Sequence, residues 1–142
     1  EKARIIAWEM LELLTLDLVE KRLITDQIVL IIGYDIENLT NPDIAKYYKG
    51  EVKKDPYGRK IPKHAHGTAH TSRQTSSTKL IMDATLKLYD EIVDKKLLVF
   101  DFFLTKSNRE RNNFIFNCYC IIISECFRNM NFNNIIILNG NN

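Results

Sequence analysis

The sequence predicts an α+β domain, because helical and strand patterns follow one another in the order helix, strand, strand, helix, strand. Three observations carry this. An apolar stripe at three- and four-residue steps opens the chain, a β-branched run follows it, and a strict polar/small alternation lies near the middle. At 142 residues the length suits one domain, and 45% hydrophobic content is enough for a core.

The first helix is expected over Ala3–Lys21. Ile6, Met10, Leu13, Leu14 and Leu18 form its stripe, with Glu9, Glu12, Asp17 and Glu20 mostly off it. Ile5, Trp8, Leu11 and Val19 widen the apolar surface, so the helix is expected to pack on a sheet and on something else besides. Ile28–Ile32 reads as a strand buried on both faces. Asn38–Tyr57 reads as a loop, since Asn-Pro, Lys-Gly, Asp-Pro and Tyr-Gly all favour turns; its length marks it as functional or mobile.

His64–Ser72 reads as the second strand. Successive strand side chains point to opposite faces, so His64, His66, Thr68, His70 and Ser72 share one face and Ala65, Gly67, Ala69 and Thr71 the other. The small face suits burial under helices, and the polar face suits a ligand. Thr75 or Ser76 is expected to cap a second helix reaching about Asp94, with Ile81, Ala84, Thr85, Leu88 and Ile92 buried. Leu97–Val99 begins a final strand, which Phe100–Leu104 can continue.

Charge is unevenly spread. Lys46–Lys79 contains nine Lys/Arg, three His and two acids, Glu51 and Asp55, whereas the whole chain is only +2. Such an excess attracts a polyanion, and neighbouring hydroxyls can donate to phosphate oxygens. The candidate contacts are Lys53, Lys54, Arg59, Lys60, Lys63, His64, His66, Thr68, His70, Ser72, Arg73, Thr75, Ser76 and Ser77. A metal on His64, His66 and His70 is disfavoured, because carboxylates are scarce and no Cys is near in sequence. Cys118, Cys120 and Cys126 are odd in number and lack a second ligand pair at zinc spacing, so free thiols are expected. No run is long enough for a spanning helix and no signal peptide is visible, so the expected compartment is the cytosol.

Several strings carry a family resemblance: VEKRLITDQIVLIIGYD over Val19–Asp35, PKHAHGT over Pro62–Thr68 and TSSTKLIMD over Thr75–Asp83, followed by Leu86, Tyr89, Ile92, Val93, Asp94 and Lys95. Together they resemble the C-terminal little-finger domain of the Y-family translesion DNA polymerases, closest to the UmuC/MucB/ImpB-like UV-damage repair proteins. The resemblance spans roughly residues 1 to 99. It implies a β-α-β-β-α-β fold, with two helices on one face of a four-stranded, mostly antiparallel sheet. The first strand would precede Glu1.

The resemblance also implies a role in DNA repair: gripping template-primer duplex through its backbone, without reading sequence. The polymerase active site, with its magnesium ions and palm carboxylates, lies in another domain of that family. No stretch here matches it, so neither polymerisation nor a cofactor is expected of this chain, and no membrane partner. A sliding clamp would be met through the parent protein. The competing reading is a protein-interaction module that recruits the polymerase to a clamp or repair filament. A third is a decayed remnant.

Composition changes after Val99. Residues 101–142 hold eleven Asn against two in the first hundred. The arginines that follow the leucine-valine pair in related domains are missing, and Phe100 and Asp101 stand there instead. The expected division is a little-finger domain over 1–104 and a non-homologous tail over 105–142, read as out-of-frame translation of AT-rich DNA or as a divergent extension. The apolar windows Phe114–Phe116, Ile121–Ile123 and Ile135–Leu138, together with a sheet edge left open by the missing strand, predict poor solubility.

Overall fold

A computed structural model describes residues 2–107, 118–122 and 138–139. The fold is α+β. Helix α1 (Lys2–Glu20) leads to strand β1 (Thr25–Tyr34), and two single-turn helices follow, α2 (Glu37–Thr40) and α3 (Pro42–Ala45). Strands β2 (Val52–Lys54) and β3 (Lys60–Pro62) form a hairpin ahead of β4 (Ala65–Thr75), helix α4 (Thr78–Ile92) and β5 (Val99–Ser107). Strands β6 (Cys118–Ile122) and β7 (Leu138–Asn139) extend the sheet, whose order among the described residues is β4-β1-β5-β6-β7 with antiparallel neighbours.

Both long helices cover the same sheet face. Ile28, Leu30 and Ile32 of β1 sit opposite Ala69, Gly67 and Ala65 of β4, and all but Gly67 join the core with residues of α1 and α4. Phe102 and Leu104 of β5 extend the row, and Phe102 stacks with Tyr89 of α4 at 6.2 Å between centroids. The two helices also meet through Thr78, whose hydroxyl donates to that of Thr15 at 3.1 Å.

Several expectations change. In α1 the buried residues are Ile6, Ala7, Met10, Leu11, Leu14, Thr15 and Leu18; Leu13 is exposed and Leu11 takes its place in the core. Strand β1 is buried on one face only. Val29 and Ile31, between the core residues, are half-buried, because among the described residues no helix covers them as α1 and α4 cover the other side. Asn38–Tyr57 is not a structureless loop. The Asn-Pro pair starts α3: Asn41 accepts from the Asp43 N–H at 3.0 Å, and Pro42 takes the first turn, where its missing N–H costs nothing. Ser77, rather than Thr75 or Ser76, is the N-cap of α4. Strand β6 pairs on the outer side of β5, and β5 runs through Leu104–Thr105 to Ser107; among the described residues β4 ends the sheet, so an edge is open there as expected.

Helix α1 ends without glycine. Arg22 adopts φ 54°, the Arg22 N–H donates to Val19 O at 3.1 Å, and the Leu23 N–H donates to Leu18 O at 2.8 Å. This is a Schellman cap, and it turns the chain into β1 with Leu23 packed on the core. Of the apolar windows in the tail, Phe114–Phe116 and most of Ile135–Leu138 lie outside the described residues, as does Cys126. No described helix is long and apolar enough to cross a membrane.

Candidate nucleic-acid interface

The alternation expected for His64–Ser72 holds over Ala65–His70; His64 lies just outside β4 and the register slips after His70. Ala69 is buried and Ala65 is packed against the core. Gly67 lies directly under α4: a Cβ there would stand 2.9 Å from Leu88 Cδ1 and 3.3 Å from Ile92 Cδ1. On the other face, His66, Thr68 and His70 pair in register with Ile31, Val29 and Gln27 of β1, with His66 and His70 exposed. Beyond His70, Ser72 and Arg73 are exposed in the irregular stretch before pairing with β1 resumes at Thr75.

At one end of β4 stands the basic hairpin. Its turn is built by Asp55, whose carboxylate accepts from the N–H groups of Tyr57 and Arg59, each at 2.9 Å, and from Arg59 Nε at 2.7 Å. Gly58, at φ 79°, supplies the left-handed residue such a turn needs. Covering the Asp55 carboxyl works to raise its pKa, but the hydrogen bonds from Arg59 and Tyr57 together hold it below the ordinary value.

Arg59 is therefore committed to the turn, and its guanidinium lies 5.4 Å from the Tyr57 ring centre. Lys63 is committed to Glu51 at 2.6 Å, and that bond, aided by the charges of Lys63 and Lys53, lowers the Glu51 pKa. Lys54 and Lys60 are different. They face each other across the hairpin, both exposed, and form no ion pair among the described residues. Like charges in cross-strand register repel, so an anion between them relieves a cost present in the free protein.

The other end of β4 leads to α4. Thr75 is buried, and its hydroxyl accepts from the Ser77 N–H at 2.9 Å, so it points away from any external phosphate. Ser76 is half-buried and Ser77 exposed, and the Ser77 side chain makes no cap hydrogen bond. The expected residues thus form a strip rather than a cluster. Ten residue steps of β4 cover about 33 Å, close to ten base steps of a duplex at about 3.4 Å each.

Asp101 lies on this same open face, opposite Gly33 of β1, and is the residue that sequence reasoning undervalued. Burial raises its pKa above 3.8, partly offset by a hydrogen bond from the Gly33 N–H and by His64. A Cβ on Gly33 would collide with the Asp101 carboxylate, which would have to turn aside. Asp101 and His64 line a cleft of about 330 Å³ between the hairpin turn and the start of β5, with Tyr57, Arg59 and Phe100.

No cluster of three His, Cys, Asp or Glu side chains able to hold a cation occurs among the described residues. Comparison with protein-family models, curated proteins and solved structures found no match to this chain.

Proposed function

We propose that this chain is a DNA-binding module of the little-finger type from an error-prone translesion polymerase, holding template-primer duplex through its phosphate backbone. One observation carries the reading. His66, Thr68 and His70 stand on the sheet face opposite both helices, and the chain enters β4 from a separate two-stranded hairpin in which Lys54 and Lys60 pair. A polymerase must hold any sequence, and contacts of Lys, His and hydroxyls to phosphate position a duplex without reading bases.

The layered arrangement supports the same reading. Two helices lie over one face of an antiparallel sheet, in the chain order that a β-α-β-β-α-β domain has after its first strand. On this reading the module is residues 1–104 with a tail over 105–142. It carries no catalytic carboxylates and no metal of its own, and works in the cytosol as part of a larger enzyme whose palm domain holds magnesium and which meets a sliding clamp elsewhere.

The test is fluorescence anisotropy with duplexes of unrelated sequence across a salt series. The reading expects equal affinities and a log–log salt slope of roughly −3 to −4.5, from about three to five phosphate contacts. Strong dependence on sequence, or binding insensitive to salt, contradicts it.

A further inference from the structure

Helix α1 is apolar on two sides, and among the described residues only one of them is covered. Its inner side supplies Ile6, Met10, Leu11, Leu14 and Leu18 to the core. Its outer side exposes Ile5 at 51%, Trp8 at 42%, Leu13 at 39%, Leu16 at 60% and Val19 at 58%. At 100° per residue these fall on one continuous face, with Ile5, Leu16 and Val19 around Glu12 and with Glu9 and Glu20 between them and Leu13. A helix that is apolar all round belongs in an interior, and a contiguous exposed apolar face marks an interaction site.

We propose that the outer face of α1 docks an amphipathic α-helix of another polypeptide, one that carries Lys or Arg beside its apolar stripe. The charge pattern selects this occupant. Glu9, Glu12 and Glu20 lie within the apolar face and form no ion pair among the described residues. From Ile5 to Glu20 the chain contains no Lys or Arg at all. A basic rim on the incoming helix supplies the missing counter-charges, and apolar anchors at helical spacing fill the space between Trp8, Leu16 and Val19.

Two other occupants fit worse. A second copy of the chain would bring like carboxylates together. A membrane surface is anionic, and helices that lie on it carry Lys and Arg on the polar side rather than Glu. The site is on the helix layer, whereas His66 and His70 are on the opposite face of the sheet. Docking and duplex binding are therefore compatible, and the inference stands independently of the DNA reading.

Trp8 is the sole tryptophan and reports directly on this face. The probe is a Trp-free synthetic helix of about five turns, to match α1, with a leucine stripe and lysine rims; its control carries glutamate rims. The lysine-rimmed peptide is expected to shift Trp8 emission to the blue and to saturate, and the glutamate-rimmed one to leave it unchanged. Leu16→Glu should abolish the shift without changing the thermal melt. Glu12→Lys should weaken the lysine-rimmed peptide by about tenfold or more. Equal response to both peptides, or unchanged binding by Leu16→Glu, overturns the proposal. A blue shift that follows protein concentration alone and tracks a doubled mass overturns it in favour of self-association. A shift on phosphatidylserine vesicles but not on the peptide overturns it in favour of a lipid surface.

Discussion

Asn38 and Leu98, separated by 60 positions, are joined by two hydrogen bonds that imitate a strand pairing: Asn38 Nδ2 donates to Leu98 O at 2.8 Å, and the Leu98 N–H donates to Asn38 Oδ1 at 2.7 Å. The same amide nitrogen donates to Asp35 O at 2.8 Å, and the side chain is fully buried. This clamp ties the segment after β1 to the entry of β5, on either side of the cleft that contains Asp101. Asn38→Ala leaves the Leu98 N–H short of a partner, while Leu98 O keeps only the bond from the Asp35 N–H at 2.9 Å. The expected loss is about 2–3 kcal/mol in urea unfolding. A loss below about 0.5 kcal/mol would show that water replaces the amide fully.

The two faces of β4 should respond oppositely to mutation. Ala69→Leu forces side-chain volume under α4, where Gly67 already leaves no room, and should cost about 1–3 kcal/mol. His66→Ala removes an exposed side chain, so its thermal melt should match the parent while duplex affinity falls. The opposite pattern in paired melts and anisotropy titrations would reverse the face assignment.

Asp101 gives a pH dependence with a definite sign. Its pKa is raised on folding, chiefly by burial. The folded state therefore holds the proton more tightly than the unfolded chain. That contribution favours folding below the ordinary aspartate value of 3.8 and is lost as pH rises through the folded pKa. Asp101→Asn is expected to be more stable than the parent at neutral pH, with the difference vanishing on acidification. Removing this charge from the open face should also strengthen duplex binding. A neutral-pH melt at or below that of the parent would contradict the sign.

The order of elements was legible in the sequence wherever residue size made the pattern unambiguous. Ala65, Gly67 and Ala69 alternate with histidine and threonine, which left one face of β4 as the only candidate for burial. Elsewhere the governing interactions were long-range or lacked their usual marker. The cap after α1 uses Arg22 where glycine is the common choice, so nothing local announced it. Asn38 resembled any loop asparagine until Leu98 came beside it. In the site, the polar strand face was readable, but the partners of its cations were not. Asp55 with Arg59 and Glu51 with Lys63 are brought together by the hairpin, and an acid-poor segment gave no hint that its two acids would each engage a cation. Burial of Thr75 likewise follows from strand parity beyond a register slip that composition does not encode.

The extent of the domain is open to a direct cut. Truncation after Ser107 keeps all of β5 and removes β6 and β7. If the tail is foreign to the domain, the shortened protein should be more soluble than the full chain, stay monomeric in sedimentation and retain its duplex affinity. Loss of cooperative unfolding or of DNA binding would instead make the pairing of β6 with β5 integral to the fold.

The central claim is that backbone phosphates lie against the hairpin and the open face of β4, and it is tested most directly by the salt slope of Lys54→Ala/Lys60→Ala. These two lysines form no ion pair among the described residues, so removing them should leave the turn held by Asp55 intact. With two phosphates no longer neutralised, the log–log slope should flatten by about 1.8 while the thermal melt stays within error of the parent. An unchanged slope and affinity in the folded double variant would contradict the account.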